Sequence, residues 1–217
     1  MPAASPRPMS TTAPTNIDTM ADLYRTIAAP AEATVTEKRS KFLAFAYPAA
    51  TVDEAMERVG ELQRKYYDAR HVCYAYMLGA DRATFRANDN GEPSGTAGKP
   101  ILGQINSLEL TDVVVGVVRY FGGIKLGTPG LIAAYRAAAR AALDAAVVDE
   151  RHVMRRVEFT YPYASINDAM RLTRLPGVRV VDSVYDNVCR LVLDVEADRA
   201  EALERAVADV AGASLCI

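Results

Sequence analysis

The amino-acid sequence predicts an α+β protein built as two domains, and three observations point there. Its 217 residues suffice for one large domain or two small ones, and with 50% apolar and 24% charged residues the composition is ordinary for a globular protein. Through about residue 148, apolar strand-like runs alternate with helical patterns. From His152 onward the order becomes strand, helix, strand, strand, helix, strand, the split-βαβ pattern of ferredoxin-like domains. The boundary is expected near residues 149–152, giving a tail at 1–20, a first domain at 21–150 and a second at 151–217.

Residues 1–16 (MPAASPRPMSTTAPTN) hold too little apolar surface to offset the entropy of ordering, so a disordered tail is expected, with order beginning near Val35. Ser40–Tyr47 suits a strand. Thr51 and Glu54 form a T-x-x-E capping box, and Val52, Ala55, Met56, Val59, Leu62 and Tyr66 follow as one helical stripe. Val72–Leu78 is a strand, Asn88–Gly98 a polar loop, and Pro100 opens a short helix. The unbroken apolar run Val113–Phe121 fits a central strand. Thr128 and Pro129, as N-cap and first helical residue, start an Ala-rich helix to about Val148. In the second domain Val153–Tyr161 is a strand, Ser165 caps a helix with Asp168 three residues on, and Pro176–Gly177 ends it. Val178–Tyr185 and Val188–Val195 pair across Asp186–Asn187. A helix from about Asp198 stops at Gly212, and Ser214–Ile217 is an edge strand.

A formal net charge of −2 argues against a dedicated DNA-binding protein, although a local basic patch is compatible with it. Cys73, Cys189 and Cys216 are odd in number and far apart, forming neither a disulfide framework nor, with only His71 and His152 beside them, a zinc spacing. No apolar run reaches the roughly 18–20 residues of a membrane helix, and the N-terminus lacks a signal-peptide core. A cytoplasmic protein without metal, cofactor or membrane association is expected.

Two segments carry chemistry that packing alone would not select. In Ala87–Pro100 (ANDNGEPSGTAGKP), glycines and Thr96 precede a helix start, where exposed N–H groups favour anions, while Asp89 and Glu92 favour a cation, a hydroxyl or a basic group. A long connection with turn residues and a capped helix would explain the same residues. In Arg119–Gly130 (RYFGGIKLGTPG) the chain leaves a buried strand, crosses a glycine-rich turn and enters a helix. It is not a Walker loop: Gly122 and Gly127 have the G-x4-G spacing, but Thr128–Pro129 stands in place of Lys-Ser/Thr. Arg119 and Lys125 suit phosphate, or are simply solvated. The candidate ligand-binding residues are thus His71, Asn88, Asp89, Gly91, Glu92, Thr96, Gly98, Lys99, Arg119, Tyr120, Gly122, Gly123, Lys125 and Gly127. His71 and Cys73 share a strand face, which would allow a Cys–His nucleophile, but Cys73 equally suits a small buried hydrophobe. Arg171, Arg174 and Arg179 cluster in the second domain as nucleic-acid candidates or as a solvated face.

These segments, with Lys38-Arg39-Ser40-Lys41-Phe42 and Asp68-Ala69-Arg70-His71-Val72-Cys73 upstream, resemble the Impact/YigZ family over about residues 24–217. Asn90 departs from that family's Asp-Asp-Gly-Glu-Pro run, and Thr128-Pro129-Gly130 replaces a more glycine-rich turn, which predicts a stiffer loop. The resemblance implies a first domain similar to the second domain of ribosomal small-subunit protein five and a second domain similar to domain five of elongation factor G. It further implies a role in translation, since the family's eukaryotic relatives are linked to translational control through a starvation-responsive kinase pathway. The function expected is therefore a translation-associated regulatory protein binding RNA, the ribosome or a translation factor. The alternative is a hydrolase or transferase acting on a phosphorylated or nucleotide ligand at the glycine-rich cleft, so a phosphate-containing small ligand is the other expected partner.

Overall fold

A computed structural model describes residues 23–216; the tail expected at 1–20 and the last residue of the expected edge strand, Ile217, lie outside the described residues. The first part of the chain forms β1 (Leu23–Ile27), β2 (Ala31–Glu37), β3 (Ser40–Pro48), α1 (Val52–Lys65), β4 (His71–Leu78), β5 (Thr84–Asn88), α2 (Gly98–Ser107), β6 (Val113–Tyr120), α3 (Gly127–Asp144) and β7 (Val148–His152). Five of these strands make one sheet in the order β2-β3-β6-β4-β5, with every neighbouring pair antiparallel.

Alternation along the strands splits the apolar residues between the two faces of this sheet. Phe42, Ala44 and Ala46 of β3, Cys73, Ala75 and Met77 of β4, and Val113, Val115 and Val117 of β6 face α2 and α3. Alanines on both sides of that contact, Ala44 and Ala46 of β3 against Ala134, Ala138, Ala139 and Ala142, let α3 lie close to the sheet. The alternate residues Val72, Tyr74, Tyr76, Leu78, Val114 and Val118 face α1 through Ala55, Val59 and Leu62. Gly116 makes this packing feasible, because a Cβ there would stand 2.5 Å from Leu62 Cδ1.

Several local expectations shift. The first described strand, β1, begins at Leu23, ahead of Val35, and pairs antiparallel with β7 in a two-stranded ribbon. That pairing also ends the Ala-rich helix at Asp144, before Val148. β5 was hidden by its polar sequence, TFRAN, and is an edge strand mostly exposed. Thr51 Oγ1 accepts from the Glu54 N–H (3.2 Å), but the Glu54 carboxylate bonds the Ala50 N–H (2.8 Å) in place of the N-cap's own. Helix α2 begins at Gly98, with Pro100 still within its first turn, where the missing N–H costs nothing. Helix α3 begins at Gly127 with Leu126 as N-cap and no side-chain cap bond, so Thr128 does not cap it.

The second part forms β8 (Met154–Pro162), α4 (Ile166–Leu172), β9 (Val178–Val184), β10 (Val188–Glu196), α5 (Ala200–Ala208) and β11 (Ser214–Leu215), in the expected βαββαβ order. The sheet order β11-β8-β10-β9 is wholly antiparallel. Its core brings Phe159, Tyr161, Leu191 and Leu193 against Ala169, Leu172, Leu203 and Val207 of the two helices. Ser165 precedes α4, but its hydroxyl donates to the Ala211 carbonyl (2.8 Å) and does not cap the helix.

The Gly116–Leu62 contact yields a testable coupling. Leu62→Ala should cost about 2–5 kcal/mol through the cavity it leaves. Gly116→Ala in the wild type should also destabilise, since Leu62 must give way. Combined, the new methyl occupies vacated space, so the double variant should be more stable than the sum of the two losses predicts. Urea midpoints of the four proteins measure this, and strict additivity would refute the packing account.

Candidate functional site

Phe42 on β3, Arg119 on β6 and His71 on β4 are register partners and lie side by side across three strands. They form the next row beyond Ala44, Val117 and Cys73, which are buried in the core beneath the helices. The same alternation that sends Val117 into the core therefore sends Arg119 to its edge. The Arg119 guanidinium lies 5.6 Å from the Phe42 ring centroid and 5.8 Å from that of Phe121.

Arg119 and Glu92 are each only 8% exposed, and Arg119 Nη1 donates to Glu92 Oε1 at 2.6 Å. Tyr135 of α3 donates its hydroxyl proton to the same oxygen at 2.8 Å. A buried charge needs both a counter-charge and hydrogen bonds, and this trio supplies them. Arg119 Nε, also buried, has no acceptor among the described residues.

The loop carrying Glu92 is shaped by Asp89. Its Oδ2 accepts from the Gly95 N–H (2.7 Å) and its Oδ1 from Ala97 (2.9 Å) and Gly98 (2.8 Å), at the start of α2. Burial opposes the charge on Asp89, but these three N–H groups, with Lys99 nearby, outweigh it and hold the carboxyl below the usual aspartate value. The anion-favouring N–H groups expected at this junction are therefore already filled from within the chain. Asn90 and Gly91 follow with φ of +39° and +83°. Asn tolerates that backbone, and its Nδ2 donates to the Val72 carbonyl (3.0 Å), a bond an aspartate could not donate when ionised. His71 Nδ1 lies 2.8 Å from the Asn90 carbonyl, which only accepts, so Nδ1 carries the proton.

Cys73 and Tyr135 complete the interior. The Cys73 thiol is 2.9 Å from the Asp89 carbonyl and 3.3 Å from the Tyr135 hydroxyl. Burial pushes it up to about 12, despite the opposing Tyr135 bond. The His71–Cys73 nucleophile pair is thus not assembled: the imidazole engages Asn90 and the thiol is held neutral and buried.

Above this floor opens a cleft of about 430 Å³, lined by Arg70, His71, Gly91, Glu92, Pro93, Arg119, Phe121, Lys125, Leu126, Gly127, Thr128 and Leu131. Six residues singled out in the sequence meet here: His71, Gly91, Glu92, Arg119, Lys125 and Gly127. Asn88, Asp89, Thr96 and Gly98 build the loop instead; Asn88 Oδ1 accepts from Asn90, Thr96 bonds the Pro93 carbonyl, and a Cβ on Gly98 would meet Asn88 N at 2.4 Å. Gly122 belongs to the turn, where a Cβ would lie 2.0 Å from the Arg39 carbonyl carbon; Gly123 takes φ of +85° there. Lys99 lines a separate depression with Pro100, Gln104 and Arg136. Tyr120 belongs to the α1 side of the sheet, where it donates to Asp68 (2.8 Å). Sequence reasoning missed Arg70, Phe121 and Tyr135 as site residues. Tyr135 had a signal: it is the one polar-tipped aromatic on the buried stripe of an Ala-rich helix.

In the second domain Arg179 pairs with Asp194 (3.0 Å) and Arg171 with Asp168. Arg179 and its register partner Asp194 share the sheet face away from the helices, since Leu193 and Val195 face the core. Arg171 and Arg174 sit on and after α4, on the other side. The three arginines do not form one patch, because strand alternation turns Arg179 away. No helix among the described residues is long and apolar enough to cross a membrane.

The family model of the Impact N-terminal domain matches residues 38–143. The chain is 39% identical over 132 residues to IMPACT family member YvyE of Bacillus subtilis, an overlap of 61% of either protein, so it spans less than two thirds of that relative. It is 30% identical to IMPACT family member YigZ of Escherichia coli over 87% of this chain and 93% of that protein. A solved structure described as a hypothetical protein superposes with a TM-score of 0.75 at 28% identity, covering 89% of this chain and 96% of the other.

Asp89 offers a direct test. Asp89→Ala strips three N–H groups of their acceptor and should cost about 3 kcal/mol. The folded-state value lies below the unfolded one of about 3.9, so this stabilisation is complete above that pH and is lost as pH falls through the folded value. The difference in urea midpoint between wild type and variant should stay flat from about pH 7 to about pH 5 and narrow below about pH 4. A difference that widens on acidification would contradict this.

Proposed function

The chain belongs to the IMPACT family, and on that premise we propose that it acts in translation as an RNA-binding protein, gripping single-stranded RNA in the cleft of the first domain. The observation that carries the proposal is the convergence of Arg70, Arg119 and Lys125 around one cleft beside Phe121, which is 56% exposed. Cations that track phosphates and an aromatic face on which a base stacks are what single-stranded nucleic acid requires. The second-domain arginines support this less, because Arg171 and Arg179 are already engaged by Asp168 and Asp194. The neutral, buried Cys73 speaks against nucleophilic catalysis at this place.

With a net charge of −2 the molecule offers no general attraction, so binding rests on few contacts. Log affinity should fall with log salt by roughly 0.7 per phosphate contact. Lys125→Ala should reduce that slope by one such contact, whereas Arg174→Ala should leave it unchanged. Fluorescence anisotropy of a labelled single-stranded RNA across a salt series measures both. Absence of binding at low salt, or sensitivity to Arg174 but not Lys125, would sink the proposal.

A further inference from the structure

We infer that the cleft contains a subsite for a terminal phosphomonoester, formed by the first turn of α3 together with Lys125 and Arg119; this rests on the RNA-binding reading above and specifies which part of the ligand is held there. The two long helices that follow the glycine-rich segments begin differently. The first turn of α2 is satisfied by the Asp89 carboxylate. Helix α3 has no side-chain cap and no acidic residue in its first turn, and its Gly127 and Thr128 line the cleft. N–H groups of a first helical turn have no acceptor within the helix and carry partial positive charge.

A second observation is independent of the helix. Arg119 lines the same cleft, is 8% exposed, spends Nη1 on Glu92 and leaves Nε without an acceptor among the described residues. A buried donor without a partner is unfavourable. The planar fork of a guanidinium matches the oxygens of a phosphate, and Arg119 lines the cleft in which one would lie. Phe121, over the guanidinium at 5.8 Å, stands where the attached nucleoside can stack.

Charge selects the kind of phosphate. Arg70, Arg119 and Lys125 give +3 and Glu92 gives −1, a formal +2 among the lining residues. A terminal phosphate carries about −1.5 to −2 at neutral pH, whereas a bridging diester carries a single negative charge. The cleft therefore matches a terminal phosphate, as found at the 5′ end of a processed RNA or on a free nucleoside monophosphate.

The test uses the full chain and one single-stranded RNA prepared with a 5′-phosphate or a 5′-hydroxyl, with adenosine monophosphate as a third ligand, titrated by calorimetry. The phosphorylated end should bind at least about tenfold more tightly. Thr128→Asp puts an acid where a helix N-terminus favours one, so the fold should persist and thermal unfolding verifies this. That carboxylate occupies the subsite, and the preference for the phosphorylated end should vanish. Arg136→Ala, outside the cleft, should retain it. Equal binding of the two RNA ends overturns the subsite while leaving RNA binding intact. So does a preference that survives Thr128→Asp unchanged. Binding of adenosine monophosphate that Thr128→Asp abolishes, with neither RNA bound, upholds the subsite and overturns the RNA reading.

Discussion

The ion pair between Glu92 and Arg119 is the constraint on which the site depends. It ties a loop that follows an edge strand to the end of the central strand, and both partners are withdrawn from water. Such a pair adds little net stability over apolar residues of the same shape, yet removing one partner strands a buried charge at a cost of about 3–5 kcal/mol. An apolar contact could hold the two segments together equally well. What it could not do is place a guanidinium at the floor of a cleft, held rigid between Phe42 and Phe121 with Tyr135 securing its counter-charge.

The location follows from how the core is built. Alanines on the sheet and on α3 draw the helix close over the rows of Val115 and Val117, and in the next row the cover continues over Phe42 but opens at Arg119 and His71. There the strand pattern continues, but the residues facing inward become His71 and Arg119. The cleft is the unroofed end of the hydrophobic core, so its side chains inherit the precision of the strands beneath them. Sites carried by regular elements hold their geometry more tightly than sites carried by loops.

Much of this was legible in the sequence, for identifiable reasons. The strands with strong alternation or unbroken apolar runs, such as Ser40–Pro48 and Val113–Tyr120, and the βαββαβ order of the second part, announce themselves because burial imposes their pattern. β1, β2, β5 and β7 did not: β1 and β7 owe their existence to each other across the length of the first domain, paired Leu23 to His152, while β2 and β5 are edge strands without an unbroken apolar run. The two glycine-rich segments drew attention through their composition, but composition does not reveal orientation. Asp89 and Glu92, three residues apart, look alike in the sequence. One is turned inward to satisfy α2, and the other is sent across to Arg119. Tyr120 and Phe121 are adjacent, yet one lies on the α1 side and the other at the cleft.

Asp89 has a consequence beyond shaping its loop. A loop whose helix-start amides wait for an external anion must be ordered by that anion, and part of each binding event goes into immobilising it. Here the chain supplies its own carboxylate, so the loop is ordered before any partner arrives. The entropy of fixing it has been met during folding, where it is shared with the core. A ligand entering the cleft meets on that side a loop already in shape, which favours rapid capture by rigid docking.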